Sequence, residues 1–162
     1  MHSKPVFLVI GLIAAAAILG GLLFIGRGSH IQLKGQFQKV RLQSLEDTST
    51  VVIVDFRFSN PADYPFVVRK VDMMIETKDG QNVEGMMVSE VDARRMFDFY
   101  IVLGPKYNES FLIREKVAPH QSLDRMLAAR FELPITSVNQ RKKLWIRIED
   151  VDGAVSELEE KP

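Results

Sequence analysis

A run of 20 uncharged and almost wholly apolar residues, Val6–Ile25, limits the fold of this chain more than any other feature. No charge occurs from Pro5 to Gly26, and Lys4 and Arg27 bracket the run. At about 1.5 Å per residue a helix of this length spans about 30 Å, the thickness of a bilayer's hydrocarbon core. A surface helix of a small globular domain would carry a polar face, and this segment has none. A cleaved signal peptide is the competing reading. Its apolar core is shorter and ends at small residues, whereas here Ala14–Ala17 lie mid-run and apolar residues continue beyond them. The chain therefore divides into a short tail (1–4), a signal-anchor transmembrane helix (5–26), a Gly-Ser hinge (27–30), a folded domain (31–158) and a C-terminal tail (159–162). Positive charges flank both ends of the run, so the positive-inside rule does not orient it. A four-residue tail leaves little to do inside the cell. The expected arrangement is single-pass in the cytoplasmic membrane, with the C-terminal domain exported.

The 162 residues hold 21 basic and 21 acidic side chains. Setting Lys4 aside with the anchor leaves 20 basic against 21 acidic, which argues against nucleic acid as a partner, since that needs a basic excess. There is no cysteine, so disulfides and thiolate sites are excluded. The lipid bilayer, through residues 5–26, is the one partner that the sequence names.

In the domain, "VVIVDFRFSNPADYP" (Val51–Pro65) alternates with period two. Val52, Val54, Phe56 and Phe58 share one face; Val51, Ile53, Asp55 and Arg57 share the other. This is a central strand, and Asn60-Pro61 ends it because proline cannot donate to a ladder. Before it, "IQLKGQFQKVRLQSL" changes parity after Gln38, which predicts a bulge or a break. After it, Val67, Val71, Met73 and Ile75 predict a strand leading to a hairpin at Asp79-Gly80, and "QNVEGMMV" returns. Ser89 is placed to cap a short helix over "EVDARRMFDFY". "SFLIREKV" reads as a strand. "LDRMLAARFEL" suits either a strand or a short helix, and a strand is expected, as the antiparallel partner of "SFLIREKV". "PITSVNQRKK" suggests one helical turn, and "LWIRIEDVDGAVSEL" a hairpin with a type I′ turn at Asp152-Gly153. About seven short strands with one or two helical inserts predict an antiparallel immunoglobulin- or fibronectin-type β-sandwich.

Few residues suggest chemistry. The domain's histidines are His30 and His120, and neither stands near a nucleophile motif, so no catalytic residue is assigned. Glu149, Asp150 and Asp152 offer hard oxygens suited to calcium, but they are a weak candidate, and solvated acids of a hairpin turn explain them better. Arg94 and Arg95, among Phe97 and Tyr100, form a candidate partner surface. "NES" (Asn108–Ser110) fits a glycosylation sequon. No cofactor is expected.

The stretch "VVIVDFRFSNPADYPFVVRKVDMMIE", with Asn60 and Pro61 as the fold marker, and "VAPHQSLDRMLAARFEL" resemble the late embryogenesis abundant group 2 family, also called the water-stress and hypersensitive-response domain. The insert "SEVDARRMFDFYIVLG" departs from the family pattern. The resemblance implies an immunoglobulin-like sandwich, often behind a membrane anchor, a link to stress tolerance and no catalytic residues. The resulting expectation is a membrane-anchored, non-catalytic binding or structural module of the envelope with an unknown protein partner. The alternative is a stress-protective domain that shields other proteins, and more remotely a metal-binding module or an enzyme.

Overall fold

The alternation at Val51–Phe58 becomes strand β2 (Ser49–Ser59), buried on both faces. Val52, Val54, Phe56 and Phe58 are fully buried and join the core between two sheets. Val51 and Ile53 are buried on the opposite face in a second apolar cluster. A computed structural model of the chain describes residues 32–161. The expected membrane helix (5–26) and hinge (27–30) lie outside the described residues. Among the described residues no helix is long and apolar enough to cross a membrane.

The chain is mainly β. Its remaining strands are β1 (Lys34–Glu46), β3 (Phe66–Glu76), β4 (Asn82–Glu84), β5 (Met86–Met87), β6 (Lys116–Val117), β7 (Ser122–Phe131), β8 (Lys143–Asp150) and β9 (Val155–Glu159), with helices α1 (Glu90–Phe99) and α2 (Ile135–Asn139). One sheet has the order β1-β2-β7-β5, the other β4-β3-β8-β9 with β6 also on β3. All the ladders between these strands are antiparallel.

The parity change after Gln38 is a register shift between Phe37 and Lys39 inside one continuous strand. A second shift, between Val68 and Lys70, corrects the expected core face of β3. Phe66 and Val68 point inward before it, Val71, Met73 and Ile75 after it, and Val67 is only half-buried. One extra residue, Arg69, turns the whole set over.

Other expectations also change. "QNVEGMMV" is two pieces in different sheets, β4 on β3 and β5 on β7. Gly85 is the corner between them. A Cβ there would stand 2.6 Å from the Phe131 ring, so the chain can cross only as glycine. "SFLIREKV" is mostly not strand. Lys116–Val117 pair with β3, and Ser110 makes a single parallel bridge to Met126. Arg114 has φ 68°, which no strand accommodates. β7 takes β2 as its partner instead. The Asp152-Gly153 hairpin is present, but Gly153 alone has positive φ and its N–H bonds Asp150 O at 2.9 Å. That is a type I turn followed by a left-handed glycine, where type I′ would need two positive φ values. The expected tail also begins too early. Glu159 belongs to β9, and Glu160 bonds Leu144 O through its N–H and Arg141 through its carboxylate.

Asn60-Pro61 is structural punctuation. Asn60 is fully buried. Its Nδ2 donates to Tyr64 O (2.8 Å), Val117 O (3.2 Å) and Ala118 O (3.3 Å), and its Oδ1 accepts from Ala62 N (3.0 Å). Asn60→Ala is expected to cost about 1–3 kcal/mol, because it leaves buried carbonyls without a donor, and Pro61→Ala much less. Urea denaturation of both variants checks the order; equal losses would contradict it.

Candidate functional site

Residues 88–114 build a helical insert over the outer face of the first sheet. Ser89 caps α1: its Oγ accepts from Asp92 N at 3.2 Å, as the sequence led us to expect. Ala93 is buried, and Met96, Phe97 and Tyr100 pack inward on Val51, Ile53, Met126 and Ala128. A 3-10 turn (Ile101–Leu103) follows the helix, and the chain then doubles back over the sheet.

A buried ion pair pins this return. The Arg41 guanidinium on β1 meets the Asp55 carboxylate on β2, with both side chains over nine-tenths buried. Arg41 Nη1 donates to Leu103 O (3.0 Å) and Pro105 O (2.9 Å). Asn108 Nδ2 donates to the other oxygen of Asp55 at 2.9 Å. Phe97 stacks on the guanidinium, 4.7 Å from carbon to ring centre. Two adjacent strands thus hold the return of the insert through one charge pair. The amide of the sequon's Asn108 is spent inward on Asp55.

The other end of the insert is held at Glu90. Its carboxylate takes Arg94 Nη2 at 3.1 Å and Lys106 Nζ at 3.4 Å. The neighbouring Ser110 hydroxyl, first, and then these two cations hold the Glu90 carboxyl below its ordinary range, against the opposing effect of burial. A carboxyl depressed in the fold stabilises it fully above the unfolded value, near 4.5, and that contribution disappears as pH falls through the folded value. Amide exchange over α1 is therefore expected to accelerate when pH is lowered from 7 to below 4, after correction for intrinsic exchange. Glu90→Gln should remove that component, and an unchanged pH profile in the variant would count against it.

The four residues expected to form one partner surface are divided by the fold. Arg94 and Arg95 face solvent in pairs with Glu90 and Asp92, while Phe97 and Tyr100 turn inward. The exposed apolar groups are their neighbours Phe99, Ile101 and Val102, at 77%, 89% and 82% exposure. The calcium candidates do not converge. Asp150 is buried, its Oδ1 accepting from Val67 N (2.9 Å) and Val151 N (2.7 Å). Glu149 faces Arg69 at 3.5 Å. Among the described residues no group of three acids or histidines is placed to hold a metal. His120 pairs with Asp63 at 2.9 Å, both largely exposed.

Sequence reasoning missed Arg41, Asp55 and Ser110. The available signal was Asp55, a charge inside an otherwise apolar strand.

No protein-family model matches this chain, and no curated protein matches it. Among solved structures it is similar to an uncharacterized β-sandwich protein from Clostridium difficile 630, at 10% identity over 80% of this chain and 86% of that one, with a TM-score of 0.42. The resemblance to the late embryogenesis abundant family rests on the residues quoted for it; the architecture defined by the structure is an antiparallel β-sandwich.

Proposed function

We infer that this is a single-pass membrane-anchored, non-catalytic β-sandwich of immunoglobulin type, which presents the α1 insert to a protein partner in the cell envelope. The strand order supports the type: β1-β2-β7-β5 against β4-β3-β8-β9 follows the A-B-E-D and C′-C-F-G order. The apolar run Val6–Ile25 supports the anchor and the envelope location.

The observation that carries the binding reading is where apolar surface collects. Among the described residues ten large hydrophobic side chains are exposed, and seven of them (Val91, Phe99, Ile101, Val102, Tyr107, Leu112 and Ile113) lie in the insert. Scattered exposed apolar groups are ordinary, but a concentration of this kind marks an interaction surface. It is held rigidly by the Arg41–Asp55 pair, which lowers the ordering cost of binding.

The test is cross-linking in intact cells, with the full chain compared against an Ile101→Asp/Val102→Asp variant. Both side chains are exposed, so the variant keeps its fold. A partner lost in the variant supports the reading, and an identical cross-link profile overturns it. Shielding of stressed proteins is the second reading, favoured by the same apolar strip. It requires the full chain to suppress aggregation of a heated enzyme better than albumin, with that suppression lost in the same variant.

A further inference from the structure

Next to the insert the second sheet has an open edge. β3 is covered by β6 at Phe66–Val67 and by β4 at Met74–Glu76, which leaves Val71 uncovered between them. The edge of β7 is occupied by β5 at Ala129–Arg130, and its Ala128 and Met126 backbone groups bond Val88, Glu109 and Phe111. An apolar cleft of about 510 Å³ opens there, lined by Val71, Met87, Phe111, Leu112, Ile113 and Leu127, with Ser89, Glu90 and Ser110 at one end. Its volume is that of a small-molecule site, roughly 300–1,000 Å³. A second basin of about 610 Å³ continues from that polar end, sharing Glu90, Ser110, Leu112 and Ile113 and adding Arg94, Arg114 and Arg125.

The charges of this basin are matched except for one. Glu90 is held by Arg94 and Lys106, Glu109 by Lys106 at 3.2 Å, and Glu115 by Arg125 at 2.6 Å. Among the described residues lining the basin, Arg114 is the cation with no ion partner. Its N–H is tied to Val68 O at 2.7 Å, with the left-handed φ that a side-chain-bearing residue adopts at a cost. Beside it the buried Ser110 hydroxyl serves the Glu90 carboxylate. The site is thus apolar along its length, with an unmatched positive charge at one end.

We propose that this cleft binds a single-chain anionic amphiphile, the acyl chain lying along Val71, Met87, Phe111 and Leu127 and the carboxylate or phosphate head meeting Arg114. The ionised Glu90, whose cations are already engaged, keeps the head on the Arg114 side. A peptide fits the site less well, because it would bring amide groups needing partners along its whole length, and the uncovered stretch of β3 between Val68 and Met73 offers it few. Met87 supplies a side chain that adapts to chains of different length. The site stands independently of which partner the insert binds.

The test is photo-cross-linking of the full chain in lipid nanodiscs with three diazirine-bearing probes: dodecanoate, dodecyl phosphate and dodecylamine. The two anionic probes are expected to label residues 86–89 and 110–114 saturably, in competition with unlabelled probe. The comparison between them shows which head is preferred. The amine is expected to be at least about tenfold weaker, roughly the effect of one charge contact of 1.4 kcal/mol. Ile113→Glu places a carboxylate at the exposed mouth of the cleft and should abolish labelling. Arg114→Gly suits the left-handed backbone and should erase the preference for anions while the fold persists. Labelling spread evenly along the chain, equal labelling by the amine, or labelling unchanged in both variants would overturn the proposal.

Discussion

Alanine at Phe56 is expected to lower the unfolding free energy by about 3–5 kcal/mol, the usual cost of deleting a buried phenyl ring. Phe56 is fully buried at the centre of β2. Its ring lies 5.5 Å from Phe58 in a stacked arrangement and 5.7 Å from Phe111 edge-on, and Phe58 meets Phe111 at 5.0 Å. Phe111 comes from the insert's return loop, so this triple joins the insert to the inter-sheet core. The surrounding strands are held by ladders on both sides of β2 and cannot collapse into the space left. Domains of this size are stable by about 5–15 kcal/mol, so the variant should be near the limit of folding. Equilibrium unfolding of the full chain, followed by Trp145 fluorescence, measures the loss. A loss under about 1 kcal/mol would mean that the ring is not packed as described.

The second large effect is expected at Asp55. Asp55→Ala leaves the Arg41 guanidinium buried without its counter-charge, which costs about 3–5 kcal/mol. It also frees Asn108, whose amide bonds Asp55 at 2.9 Å. The double variant Arg41→Met/Asp55→Leu should recover part of that loss, because two apolar groups carry no uncompensated charge. Recovery is incomplete, since the Leu103 and Pro105 carbonyls lose the Arg41 donor. A double-mutant cycle separates these contributions. Amide exchange over residues 90–103 reports whether the insert lifts off while the sandwich stays folded. If both single variants and the double variant unfold alike, the pair does not hold the insert.

These two predictions mark how far the sequence could be read. Phe56 was legible as core because a strand's alternation places Val52, Val54, Phe56 and Phe58 on one face, whatever the strand pairs with. Asn60-Pro61 was legible as a strand end because proline's missing N–H acts locally. The helix over Glu90–Phe99 was legible from its cap. The pairing of Asp55 with Arg41 was not. They stand 14 positions apart, and their meeting depends on the register of β1 against β2. A single bulge at Gln38 shifts that register, and the bulge's presence was legible while its consequence for Arg41 was not.

Non-local contacts explain the corrections as well. The pattern in "SFLIREKV" satisfies a strand period, yet Phe111 is drawn into the core and Arg114 takes a left-handed backbone, so the segment wraps the sandwich edge instead of extending it. The face of β3 turns on Arg69, a residue whose bulge has no local sign. The cleft beside Val71 exists because β3 is left uncovered between its contacts with β6 and β4. By itself the sequence determined the parts governed by nearest neighbours: strand alternation, the cap at Ser89, the glycine turns and the apolar run at Val6–Ile25. Tertiary structure alone decided which strands pair, which side of the insert faces water, and which of the described cations lining the basin lacks an ion partner, because each depends on residues far apart in the chain meeting across a packed core.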